Sequence, residues 1–376
     1  MYKRKLFDRI TEQFYKGKVV IIYGARRVGK TCLAKIMMEN EEKKGKRVLY
    51  INCEHVANQQ LFSTTNPEDL RKPFGNSEFI VFDEAQHIEN IGLVLKILID
   101  SYPELQIVAT GSSSFDLANK TGETLTGRAR RFILSPFAVT ELSEQFIDIY
   151  SYIDQVLVYG SYPSVFGKGI KESIDELDEI TSNYLYKDAL IFESIKSSSF
   201  IVKLLQLLAF QIGNEVSYNE LAISLNVSRP TIERYIDILE KCFVIFRLGA
   251  LSRNLRSEIS KNNKIYFYDL GVRNCLIQNF NPIHSRNDVG ALWENFCIAE
   301  RMKRNSFIGH YSNNYFWRTY KQQEIDYIEE YDGVLHAYEF KYNKKAKIKT
   351  PNLFLETYPS EFCVVNKENF LDGFIL

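Results

Sequence analysis

Gly24-Ala25-Arg26-Arg27-Val28-Gly29-Lys30-Thr31 directly follows the apolar run Val19-Val20-Ile21-Ile22 and directly precedes the helical pattern Cys32-Leu33-Ala34-Lys35-Ile36-Met37. That strand-to-helix setting is the one in which a phosphate-binding loop works, so the stretch predicts a nucleoside triphosphate site on a parallel α/β sheet. Gly24 and Gly29 stand where the main chain must approach phosphate oxygens and a Cβ would block the approach. The expected nucleotide contacts run from Gly24 through Arg26, Arg27, Val28, Gly29, Lys30 and Thr31 to Cys32, mostly by amide groups. Lys30 is expected to spread its charge over the β- and γ-phosphates, and the Thr31 hydroxyl to hold magnesium.

Working outward, Val19–Tyr23, Val48–Asn52, Phe79–Asp83, Ile107–Thr110 and Arg131–Leu134 are short apolar runs separated by longer polar or amphipathic stretches. Such alternation predicts a parallel sheet flanked by helices. Phosphoryl transfer to water needs one carboxylate to order a magnesium shell and one to orient or deprotonate the water. Phe79-Ile80-Val81-Phe82-Asp83-Glu84 offers both, with Asp83 the expected magnesium residue and Glu84 the expected catalytic base. The next run ends Ala109-Thr110-Gly111-Ser112-Ser113. There Thr110 or Ser112 is a candidate sensor of the γ-phosphate, or simply a polar strand exit.

The 376 residues exceed one ordinary core, and about 150 residues per domain predicts two or three. Lysines plus arginines number 47 and aspartates plus glutamates 47, so no global charge advertises nucleic acid or membrane as a partner. The six cysteines lie far apart, and the five histidines show no metal-ligand spacing, which argues for reduced thiols. No apolar stretch reaches about 18 residues and the N-terminus lacks a signal-peptide core, so a soluble cytoplasmic protein is expected.

Residues 200–248 carry a second pattern. An apolar helix around Ile201–Leu205 leads to two short helices, with Ser217 and Glu220 at capping-box spacing and Ser228 capping a helix opened by Arg229-Pro230. Strand-like Cys242–Phe246 and Lys264–Tyr268 then flank a polar loop, giving a helix-turn-helix with a wing. Between 241 and 264, Lys241, Arg247, Arg253, Arg256, Lys261 and Lys264 face a single acid, Glu258. Either this wing touches a phosphate backbone, or the winged helix serves only as packing.

The phosphate loop, Asp83-Glu84-Ala85-Gln86, Thr110-Gly111-Ser112, Gly127-Arg128 and Leu134-Ser135-Pro136-Phe137 together resemble the AAA+ ATPase domain of a large prokaryotic family. Its members join that domain to a winged helix and a C-terminal domain similar to restriction endonucleases of the PD-(D/E)xK type. Gly160-Ser161-Tyr162-Pro163, Tyr184 through Asp188, Lys264 through Gly271, Trp293-Glu294-Asn295-Phe296 and Glu324-Ile325-Asp326 extend the resemblance over nearly the whole chain. It implies ATP and Mg2+ as cofactors, and Arg128 as an arginine acting on the γ-phosphate, from its own or a neighbouring subunit. The competing reading of Arg128 is a surface charge. Nucleases of that type hold magnesium with an Asp on one strand and a Glu-x-Lys on the next. By resemblance Glu294, Asp326 and Glu339 are the candidate metal residues and Lys341 a candidate catalytic residue, with a solvated or degenerate face as the competitor. The expected division is an ATPase domain at 1–145, a helical segment at 146–195, a winged helix at 196–270 and a small α/β nuclease-like domain at 271–376. DNA, a protein partner or further copies of the chain are the expected macromolecular contacts, and no membrane.

Overall fold

The structure is a computed structural model that describes residues 3–111, 125–143, 149–185, 198–251, 263–319, 323–344 and 350–375. It divides into two compact units, Met1–Phe137 with Lys241–Phe243, and Ala138–Glu240 with Val244–Leu376. No helix among the described residues is long and apolar enough to cross a membrane.

In the first unit β1 (Val19–Tyr23), β2 (Val48–Asn52), β3 (Phe79–Asp83), β4 (Gln106–Gly111) and β5 (Ala129–Ile133) pair in the order β2-β3-β4-β1-β5, every pair parallel. The three inner strands β3, β4 and β1 are buried at every position, which is why they read as unbroken apolar runs rather than alternating ones. β5 starts two residues before the expected run. As an edge strand it tolerates the polar Ala129-Arg130-Arg131 stretch, whose register against Val19-Val20-Ile21 supplies the ladder. Helix Lys30–Lys43 follows β1, and helix Ile91–Ser101 buries Ile91, Val94, Leu95, Leu98 and Ile99 along one side.

The second unit holds a seven-stranded sheet of β6 (Glu215–Val216), β7 (Ile245–Ala250), β8 (Asn263–Phe267), β9 (Asn313–Arg318), β10 (Glu324–Tyr331), β11 (Val334–Phe340) and β12 (Ser360–Val365). Its order is β12-β11-β10-β9-β7-β8-β6. Helices Ser198–Phe210, Tyr218–Leu225 and Arg229–Lys241 precede the antiparallel β7-β8 pair, and Ser217 caps the second helix through the Glu220 N–H. β7 begins three residues later than expected, because the Val244 N–H still closes onto the Leu239 carbonyl and Phe243 takes a left-handed φ of 58°. β7 then pairs in parallel with β9 through Gly249↔Tyr315 and Ala250↔Phe316. One sheet therefore runs across the expected boundary at 270/271, within the compact unit of Ala138–Glu240 with Val244–Leu376.

The expected helical segment consists of helices Tyr150–Tyr159 and Ile170–Glu179 and a wide turn Ile180–Leu185, with 186–197 outside the described residues. Two of the sequence matches lock together here. Asp269 accepts the Ser161 N–H at 2.7 Å and the Val272 N–H at 3.1 Å, capping helix Leu270–Leu276. A Cβ on Gly160 would fall 2.0 Å from the Asp269 carboxylate, and one on Gly271 2.1 Å from the Tyr159 carbonyl oxygen. Both positions need glycine for want of room. Helix Val289–Ile308 packs Trp293 and Phe296 against Phe370, and buries Arg301 against Glu329 at 2.7 Å.

Candidate functional site

The loop between β1 and helix Lys30–Lys43 is built by backbone conformations that its sequence dictates. Gly24 has φ 153° and sits so close to Leu134 that a Cβ would lie 2.2 Å from that carbonyl oxygen. Gly29, at φ 97°, ends the loop as the residue before the helix and has no side chain with which to cap it. The N-terminal end of the helix dipole gives the loop mouth its affinity for an anion. Arg27 also takes a left-handed φ of 63°. Lys30 is buried, and its Nζ donates to the carbonyls of Gly24 at 2.9 Å and Ala25 at 3.0 Å, so a cation is fixed at the loop.

Asp83, 4 % exposed at the end of β3, is the centre of a polar cluster. The Thr31 hydroxyl donates to its two oxygens at 2.9 and 3.1 Å, and Thr110 donates to Oδ1 at 2.5 Å. Tyr50, from β2, donates to Oδ2. Burial first, and then the Asp83 carboxylate, push the Tyr50 phenol well above its ordinary range, so it stays a donor. Thr110 also accepts the Glu84 N–H at 3.0 Å, which ties the following acid to β4. Glu84 takes a left-handed φ of 53° and accepts from Gln86 Nε2 at 2.5 Å. A non-glycine residue in that region costs about 1–3 kcal/mol and marks a position that the surroundings over-determine. One hydroxyl and one carboxylate, both hard oxygen donors, fit magnesium beside a phosphate cradle.

The structure thus brings together Gly24, Gly29, Lys30, Thr31, Asp83, Glu84 and Thr110. Ser112 lies outside the described residues. Arg128 is not brought to the loop of its own chain, which corrects that half of the expectation. Its carbonyl accepts the Val19 N–H at the start of β1, the end opposite the loop, and its guanidinium pairs with Asp100 at 2.6 Å on the surface. Sequence reading missed two contributors. Tyr50 is one, hidden in an ordinary strand. Arg4 is the other: buried, it donates to the Val28 carbonyl at 2.8 Å and the Ser135 carbonyl at 2.6 Å, bracing the loop from the N-terminal segment.

In the second unit the candidate nuclease residues gather without forming a metal shell. The β10-β9 register shifts between Ile325 and Ile328, a bulge that interrupts the alternation at Asp326 and Tyr327, both of them buried. Asp326 Oδ2 accepts the Phe340 N–H at 2.8 Å, and Glu339 pairs with Lys341 at 2.5 Å. Glu294 faces Lys264 at 2.9 Å and the Tyr266 hydroxyl at 2.5 Å. Burial, then the charges of Glu294 and Glu339, push the Asp326 carboxyl far above the usual carboxylate range. Among the described residues no three acid, imidazole or thiol side chains stand together as metal ligands. Of the expected shell, Glu294, Asp326 and Glu339 each accept from a separate donor.

The basic wing is corrected in part as well. Arg247, whose side chain is 32% exposed, pairs with Asp237 at 2.8 Å and with Glu240, whereas Lys264 is fully buried and does not face outward to a phosphate backbone. Arg253, Arg256, Glu258 and Lys261 lie outside the described residues.

Three family models match successive parts of the chain. Residues 16–143 match the family model described as AAA domain, residues 150–282 a domain of unknown function, DUF8612, and residues 289–373 another, DUF4143. An uncharacterized protein of Mycobacterium tuberculosis is 25% identical over 346 residues, 90% of this chain and 74% of that one. One of Haemophilus influenzae is 25% identical over 342 residues, 85% of this chain and 81% of its own. Among solved structures, AMPPCP-bound DnaA from Aquifex aeolicus aligns over 63% of this chain and 86% of that chain, with 16% identity and a TM-score of 0.32.

Proposed function

We propose that this chain hydrolyses ATP at the Gly24–Thr31 loop and that the nucleotide state governs how its second unit engages DNA. The observation that carries the first half is the Thr31 hydroxyl held on the buried Asp83 carboxylate beside a glycine cradle. Loop amides and Lys30 would bind the phosphates, and Thr31 with Asp83 would hold magnesium, whose charge neutralises phosphate oxygens. Glu84 would take the proton of the attacking water. Thr110, joined to both acids, fixes their spacing. The match of residues 16–143 to an AAA domain supports the same reading.

For the second half, the support is the element order. Helices Tyr218–Leu225 and Arg229–Lys241 followed by the β7-β8 pair have the arrangement of a winged helix, and Arg229 and Arg234 are exposed on the later helix. A second reading, a nucleotide-governed switch for a protein partner, is favoured by Arg247 and Lys264 being engaged internally. Steady-state ATP turnover with and without single-stranded, duplex and branched DNA separates the two. Stimulation of several-fold, lost in Lys30→Ala, is expected. Turnover indifferent to DNA, with no DNA retained by the protein, would select the protein switch.

A further inference from the structure

We infer that the ammonium of Lys264 permanently fills the cation position of the carboxylate centre in the second unit, so that this centre does not take a divalent metal. Lys264 reaches in from β8, Glu294 from helix Val289–Ile308, Glu324 and Asp326 from β10, and Glu339 with Lys341 from β11. The Lys264 Nζ stands 2.9 Å from Glu294 and 2.6 Å from Glu324, and its side chain is 1% exposed. The Phe316 ring lies beneath it, with the centroid 5.4 Å away. Every one of these contacts favours a cation and none favours a neutral amine.

Magnesium binds carboxylate oxygens at about 2.0–2.1 Å and keeps an octahedral shell of oxygens. An ion reaching Glu294 would meet a tethered positive charge already bonded to the same oxygen, which also accepts from Tyr266. A soluble ion competes with a lysine that the fold holds in place and that cannot diffuse away. The second lysine, Lys341, occupies Glu339 in the same manner. With no three ligands assembled around one point among the described residues, the charge balance that a metal would provide is met partly by side chains. The centre then serves as an ion-pair joint between β8, the long helix and β10, and scission of DNA by metal-activated water has no seat there. This conclusion stands independently of the ATP site.

Titration of the nucleotide-free full chain with Mn2+, read by the paramagnetic resonance signal of the free ion, tests it. Wild type and Asp326→Asn should bind the same amount of Mn2+, and neither should cut labelled DNA in Mg2+. Lys264→Gln should acquire one additional Mn2+ site that disappears in the Lys264→Gln/Asp326→Asn double variant. A Mn2+ site in wild type that Asp326→Asn removes would overturn the inference, as would DNA cleavage lost in Asp326→Asn. A folded Lys264→Gln protein, verified by circular dichroism, that gains no Mn2+ would overturn it too. Should that variant not fold, the comparison of wild type with Asp326→Asn decides alone.

Discussion

Asp83 accepts from Thr31, Thr110 and Tyr50, three hydroxyls arriving from helix Lys30–Lys43, β4 and β2. Such a carboxylate has little freedom to rotate, which is what a magnesium shell asks of a residue that acts on it from outside the phosphates. Thr31 and Thr110 were legible beforehand, because one closes the phosphate loop and the other ends the next apolar run. Tyr50 was not, since Val48-Leu49-Tyr50-Ile51-Asn52 reads as any strand, and only the pairing of β2 with β3 sets the phenol beside Asp83. Tyr50→Phe removes one hydrogen bond to an ionised group, worth about 1.5–3 kcal/mol at most. The expected outcome is a several-fold higher Mg2+ concentration for half-maximal ATP turnover, with kcat at saturating Mg2+ nearly unchanged. A fall in kcat without a change in Mg2+ dependence would assign Tyr50 a different part.

Helix Val289–Ile308 organises the second unit, and Asp288 stands at its start. Burial opposes ionisation there, but Arg286 and Arg273 more than offset it and hold the Asp288 carboxyl down to about 2. Arg273 is itself buried and donates to the Ala209 carbonyl at 2.9 Å, so the acid joins the long helix to helices Ser198–Phe210 and Leu270–Leu276. A depressed carboxyl stabilises the fold fully above the unfolded value near 3.8 and loses that contribution as pH falls through about 2. Denaturant unfolding should therefore show Asp288→Asn less stable than wild type at pH 5–7, with the gap narrowing steadily between pH 4 and 2. A gap independent of pH would mean that the ion pairs contribute nothing. In the same unit the β10 bulge was beyond sequence reading, because Glu324-Ile325-Asp326-Tyr327-Ile328 alternates like a regular strand.

The chain divides into two compact units, where the sequence suggested four domains. The first was legible almost strand by strand, since buried parallel strands announce themselves as apolar runs and the glycines fix where β1 must turn. In the second, the elements were visible but their joining was not. The β7-β9 pairing links segments far apart in the chain through Gly249 and Ala250, two small residues with no pattern of their own, and β12 mixes exposed and half-buried positions that carry no strand signal. Charge was misread for the same reason: Arg247 and Lys264 look like an outward basic wing until the fold supplies Asp237, Glu240, Glu294 and Glu324 as their partners. The chemistry proposed for the molecule nevertheless rests on the first unit, where the loop after β1 and the proposed magnesium acid and catalytic base after β3 lie at one end of the sheet. Single-turnover hydrolysis of radiolabelled ATP by wild type, Lys30→Ala and Glu84→Gln tests it most directly. Lys30→Ala should fail to bind ATP, whereas Glu84→Gln should bind it like wild type and cleave it about 10²–10⁴-fold more slowly. Wild-type cleavage rates in Glu84→Gln, or undiminished turnover in Lys30→Ala, would contradict the account.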